Sequence, residues 1–308
     1  MSIVKRRALI LAALASTAPA RLAVAASPTR VVATFSVLGD MVRQIAGDRV
    51  ALTVIVGPDG DTEAYEPTAA DARALADAGL LVMNGLNTEF EPWLDGLVKQ
   101  AQFHGTRVVA ADGARLLKKA EEEGNHGGTS VAEIDQHAWH DAANAAIYAA
   151  NIAVALARVD PAHEPEYRAR GEAYRSELLA LDGWARQRIA TVPAAKRKAI
   201  TSHDGFAYLA RAYAITIIGA RGWTNDKEPT AAQVAQLIKQ IRQDRIRALF
   251  VENMNDPRLI QRIASETGVE LGGKLYSDAL TRPGQDGDAY VTMFRHNIET
   301  LRAGMLKN

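Results

Sequence analysis

The 308-residue chain contains no cysteine. That absence excludes disulfides, removes thiolate from any metal site and leaves no residue to carry an acyl anchor on a processed N-terminus. Net charge is missing too: Lys plus Arg and Asp plus Glu both number 36. No overall field therefore favours nucleic acid or an anionic membrane surface, and any partner must be recognised locally. Long apolar runs are also lacking. The run from Ala8 to Ala15 falls well short of the roughly 20 residues that cross a bilayer, and no later segment reads as approaching that length, so no stable membrane insertion is expected. Three catalytic signatures are absent as well, H-E-x-x-H, G-x-S-x-G and the P-loop, which argues against an enzyme.

What is present begins with an export signal. Lys5, Arg6 and Arg7 precede the apolar run, and Ala23-Val24-Ala25-Ala26 offers an A-x-A cleavage site. A mature protein starting near Ala26 and free in the periplasm is expected. The Arg6-Arg7 pair is compatible with twin-arginine export, although paired basic residues are ordinary in such a region. With 48% hydrophobic and 23% charged residues, the remainder is long enough for two domains held by burial alone.

Two β-α-β series follow. Short runs rich in Val, Leu and Ile at Val31–Phe35, Val50–Val56, Leu80–Asn84 and Arg107–Ala110 alternate with helical spacing such as Ala69–Ala78. A second series runs through Ala199–Ser202, Ala214–Gly219, Ala248–Glu252 and Leu271–Ser277, with an amphipathic helix at Thr230–Arg242. Between them Tyr167, Tyr174, Leu178, Leu181 and Ile189 recur at helical intervals with little Pro or Gly punctuation. The spacing predicts one long helix, a rod of about 45 Å, too stiff for a floppy hinge. The expected fold is α/β: two lobes of parallel sheet flanked by helices and joined by that helix. The expected division is a signal peptide at 1–26, a first lobe at 27–160, the linking helix at 161–191 and a second lobe at 192–308.

Four polar residues fall where strands or apolar segments give way to loops: Glu63, His137, His203 and Asp278. In open parallel sheets the binding crevice lies outside the carboxyl ends of the strands. Two imidazoles and two carboxylates delivered there would form a closed four-ligand site for a divalent transition metal. Taken singly, each is weak evidence, since a histidine at a strand end is commonly structural and an aspartate before a turn is commonly a cap. His140 reads as a competing ligand, a support behind a ligand, or a surface residue; His104, His163 and His296 read as solvated or packing residues. Glu252 is either the base of a hydrolase or, more simply, an orienting or capping acid.

Several stretches in order resemble a known family. They are Gly57-Pro58-Asp59-Gly60-Asp61 with Tyr65-Glu66-Pro67-Thr68, Asp135 to Asp141, Thr201-Ser202-His203-Asp204, Phe250-Val251-Glu252-Asn253-Met254, and Leu275-Tyr276-Ser277-Asp278-Ala279-Leu280. Together they resemble the zinc and manganese substrate-binding proteins of periplasmic ABC transporters, and the resemblance covers almost the whole mature chain. It implies ligand roles for His137, His203 and Asp278. Where the family has its first ligand histidine, this chain has Glu63, a departure that a carboxylate can fill as a ligand.

The resemblance implies capture of a metal between lobes and delivery to a membrane permease with its ATPase, by a protein expected to be monomeric. Zinc is the expected cargo, with manganese or iron as the alternative. A metallochaperone or adhesin on the same scaffold and a metal-dependent hydrolase are the other readings. Zinc members often carry a His- and acid-rich loop; here Glu121 to Gly128 keeps acid and glycine but one histidine, His126, and reads first as a solvated loop. Affinity is expected to fall as pH drops through about 6.5, where imidazoles acquire protons.

Overall fold

The computed structural model describes residues 27–86, 90–118, 134–221, 229–254 and 256–308. The signal peptide, its cleavage site and the Glu121 to Gly128 stretch lie outside the described residues. The first half of the chain runs β1 (Thr29–Phe35), α1 (Ser36–Ala46), β2 (Val50–Val56), α2 (Ala69–Ala76), β3 (Leu80–Met83), α3 (Leu94–Gln100), β4 (Thr106–Val109) and α4 (Ala142–Val159). Next comes α5 (Glu164–Ala190), then β5 (Lys198–Thr201), α6 (Ala207–Tyr213), β6 (Thr216–Gly219), α7 (Ala231–Asp244), β7 (Leu249–Glu252), α8 (Arg258–Thr267), β8 (Leu271–Leu275) and α9 (Tyr290–Met305).

Each lobe has a four-stranded, wholly parallel sheet, ordered β2-β1-β3-β4 in the first and β6-β5-β7-β8 in the second. The two orders are the same, so both sheets reverse direction of winding at the same place, between the first and third strands. Parallel sheets carry helices on both faces, so inner strands read as continuous apolar runs; Val31, Val32 and Ala33 of β1 and Leu80, Leu81 and Val82 of β3 are accordingly buried. The outer strand β2 alternates instead, as a half-covered edge does.

The long helix spans 27 residues, about 40 Å at the α-helical rise. Its buried stripe is Tyr167, Gly171, Tyr174, Leu178, Leu181, Ala185 and Ile189, and it packs on α4 and α9. Pro165 stands in its first turn, where the missing N–H removes no hydrogen bond.

One sequence expectation needs correcting. The 18-residue helix α4 has a mean hydropathy of 1.4, enough by length and composition to cross a membrane. The helix is 67% buried within the protein. The reason is its alanine content: small side chains at Ala142, Ala145, Ala149 and Ala153 let α1 and α5 approach closely, so apolarity here reflects burial on several sides. The same core extends into the second lobe through Phe206, Tyr208, Phe250, Leu275 and Phe294, so the lobes share packed side chains as well as a connecting rod.

Candidate metal centre

The residues of the candidate site follow strands of both sheets in the chain, and three of them offer ligand atoms close to one another. His137 comes after β4 in the chain and precedes a short 3-10 turn, Ala138–His140. His203 lies two residues after β5, Glu252 closes β7, and Asp278 lies three residues after β8.

His137, His203 and Asp278 each offer one ligand atom, and these atoms all lie within 4.8 Å of one another. His137 Nε2 is 3.6 Å from Asp278 Oδ1, and His203 Nε2 is 3.5 Å from Asp278 Oδ2. Two donors held tetrahedrally at bond lengths near 2.1 Å are about 3.4 Å apart. The spacing is too long for good hydrogen bonds and suits atoms turned toward a common cation. All three side chains are at most 1% exposed. Among the described residues, His137 Nε2 and both oxygens of Asp278 have no hydrogen-bond partner, although buried polar atoms normally do.

The opposite ring nitrogens are anchored. His137 Nδ1 is 2.8 Å from Asp135 Oδ1, which also accepts from the His137 amide at 2.9 Å. His203 Nδ1 is 2.6 Å from Glu252 Oε2, while Glu252 Oε1 accepts from the amides of Ser202 and His203. A carboxylate on Nδ1 places the proton there and aims Nε2 into the centre, as metal-binding histidines require. Trp139 and Phe90 pack around His137, and the two imidazoles lie edge to face with centroids 5.3 Å apart.

Glycine shapes the approach. Gly219, at the end of β6, runs so close to the His203–Asp204 turn that a Cβ would stand 2.6 Å from the Asp204 nitrogen. At Gly205 a Cβ would collide with the His203 ring at Nε2.

The electrostatics favour a cation. Burial opposes charge on His203, but the carboxylates of Glu252 and Asp278 outweigh it and hold the imidazole at about 10. His137 is likewise raised: burial acts against it and Asp135, then Asp278, prevail. Burial raises Asp278. Asp204 is pushed up to about 6 by burial and then by Asp135. Protons therefore compete for both imidazoles above the 6.5 expected from free histidine, a change that the converging carboxylates produce.

The fourth candidate stands apart. Glu63 is half-buried on the loop after β2, its charge acts on His203, and its Oε1 accepts from Gln136 Nε2 at 2.8 Å. It is not one of the three residues whose ligand atoms converge within 4.8 Å. His140 is not in the converging group and is not a surface residue: it is fully buried between Trp139 and Phe206, and burial first, then His137, drives its pKa well down. His296 is half-buried and donates to the Lys274 carbonyl, and His163 pairs with Asp160. Sequence reasoning did not single out Asp135 as the orienting partner of His137; its place two residues ahead of a candidate ligand was the available signal.

Comparison with known proteins adds an independent line. The family model described as zinc-uptake complex component A, periplasmic, matches residues 31–304. A metal ABC transporter substrate-binding lipoprotein, SloC, from Streptococcus mutans is 32% identical over 281 residues, covering 89% of each chain. A manganese ABC transporter substrate-binding lipoprotein, PsaA, from Streptococcus pneumoniae is 31% identical, covering 90% of this chain and 89% of its own. Among solved structures, the periplasmic zinc binding protein TroA from Treponema pallidum superposes with a TM-score of 0.81 at 27% identity, covering 91% of this chain and 99% of its own.

Proposed function

The chain belongs to the zinc-uptake complex component A family, and on that premise we propose that it captures zinc outside the cytoplasmic membrane and hands it to an ABC permease powered by its ATPase. Family membership makes it a metal-binding transporter component and not an enzyme. The metal is cargo. His137 and Asp278 provide ligand atoms, His203 the third, and Glu63 a further oxygen from the first lobe, with the protein acting as a monomer.

The observation that carries this reading is the convergence of His137, His203 and Asp278, buried and spaced at the tetrahedral ligand distance, with both imidazoles oriented by carboxylates. A catalytic metal keeps an open position for water, whereas a transport site is closed by protein donors. The Glu252 carboxylate, the candidate base, is taken up by His203 and two amides, and its pKa, raised by burial but lowered further by His203, ends below the ordinary value. That supports orientation over catalysis.

Two nitrogens and one carboxylate suit zinc, which also leads manganese in intrinsic affinity for such donors. Manganese is the second reading, favoured by the extra carboxylate of Glu63 beside the trap and by the manganese named for the PsaA relative. Elemental analysis of protein purified from the periplasm, with His203→Ala and Glu63→Ala alongside, tests both. Stoichiometric zinc in the wild type, lost in His203→Ala, is expected. Wild-type protein that retains no metal after purification, and takes up none on titration, would defeat the proposal.

A further inference from the structure

Resting on the reading of this centre as a metal trap, we propose that Gln136 is a positioning residue that sets how the Glu63 carboxylate meets the cargo, and thereby tilts the balance between zinc and manganese. Gln136 is fully buried. Its Nε2 donates to Glu63 Oε1 at 2.8 Å, joining the loop after β2 to the residue directly before His137.

The amide is presented on a fixed support. The Gln136 carbonyl accepts from Asn84 Nδ2 at 2.9 Å, Asn84 Oδ1 accepts from the Tyr148 hydroxyl at 2.7 Å, and the Asn84 amide donates to Glu91 Oε1 at 3.2 Å. This polar chain ties Gln136 to the end of β3 and to α4. A carboxylate only accepts, so the NH2 end of Gln136 must face Glu63. The other end, Oε1, is buried with no hydrogen-bond partner among the described residues. An unsatisfied buried acceptor lowers stability, so the donor end is where the side chain acts.

The consequence follows from coordination chemistry. His137, His203 and Asp278 alone give a nitrogen-rich set of low coordination number, which suits zinc. Manganese takes more ligands and prefers oxygen. A neutral donor on one oxygen of Glu63 limits the swing of the carboxylate toward solvent, so an additional oxygen stays within reach of the site. Without the donor, Glu63 loses that restraint, and manganese loses more than zinc.

Dissociation constants for zinc and manganese, measured by chelator competition, test this in the wild type, Gln136→Met, Gln136→Asn, Glu63→Ala and Gln136→Met/Glu63→Ala. Manganese electron paramagnetic resonance and X-ray absorption report the ligand set. Met keeps the length of Gln without the donor, and Asn keeps the donor but not the reach. Each Gln136 variant is expected to weaken manganese on the order of 10–100-fold while changing zinc by less than about threefold, and to reduce the oxygen count at bound manganese. Glu63→Ala should shift the ratio by the same factor, and the double variant no further, because both act through one carboxylate. Equal effects on both metals, no effect in either Gln136 variant, or additive single effects overturn the inference while metal loss in His203→Ala leaves the trap standing. A wild-type protein that binds neither metal overturns both.

Discussion

The amide of Leu280 donates to the hydroxyl of Ser36 at 2.9 Å, joining the loop that follows β8 to the first residue of α1. Asp278 lies two residues earlier on the same loop. The loop is held at further points: the Asp59 amide donates to the Leu280 carbonyl at 2.8 Å, and Trp139 Nε1 donates to the Ser277 carbonyl at 3.2 Å. Tyr290, just past the loop, donates through its amide to Asp40 and through its hydroxyl to the Trp139 carbonyl. By sequence Asp278 belongs to the second lobe; by hydrogen bonding the loop that carries it is fastened to the first as well.

Ser36→Ala should therefore loosen Asp278 without touching it. Leaving the buried Leu280 amide unsatisfied costs about 1–3 kcal/mol of stability. Stopped-flow chelation is expected to show metal leaving faster, by about tenfold if 1.4 kcal/mol of that loss falls on the bound state. Unchanged release with a lowered melting temperature would mean that the latch serves folding alone.

Metal binding should release protons at neutral pH. Imidazole must be neutral to coordinate, and His203 is held at about 10 in the metal-free fold, with His137 also raised. Affinity should thus keep rising from pH 7 toward 9, and titration calorimetry in buffers of different ionisation enthalpy should record at least about one proton released near pH 7. The sign for the metal-free protein is the reverse. A raised folded-state value contributes stability that is fully present below about 6.5 and is lost as pH rises toward 10. Affinity that levels off at pH 7 would contradict the elevated imidazole.

Glu252→Gln should weaken metal binding on the order of 10–100-fold, because the amide cannot hold His203 Nδ1–H as a carboxylate does. The amides of Ser202 and His203 still find an acceptor in the glutamine oxygen, so the backbone turn should persist. Loss of the His203 elevation, read by imidazole NMR titration, should accompany the weaker binding. Normal affinity in this variant would remove Glu252 from the site.

Gly205→Ala tests the space around His203. The added methyl collides with the ring at Nε2, so a well-folded variant by circular dichroism is expected to lose about tenfold or more in metal affinity, the scale found when a ligand's support is disturbed. Unchanged affinity would show that the ring has room to turn elsewhere.

The alternation of short Val- and Leu-rich runs with helical spacing determined the two parallel sheets and the long helix, because backbone hydrogen bonding and apolar burial act over a few residues at a time. The same local logic put Glu63, His203 and Asp278 after strand ends and His137 ahead of a helix, and the family resemblance marked His137, His203 and Asp278 as donors. It passed over α4, whose length and apolarity the scan for long apolar runs did not register, because the alanines that make it apolar serve burial against other helices. Which groups stand behind the donors was decided only in three dimensions: Asp135 behind His137, Glu252 behind His203, Gln136 against Glu63, and Ser36 latched to the Asp278 loop across 244 positions of sequence. Side chains so far apart along the chain meet only when the sheets fix where their loops end. Their charges shift one another's protons only after burial has removed the water between them.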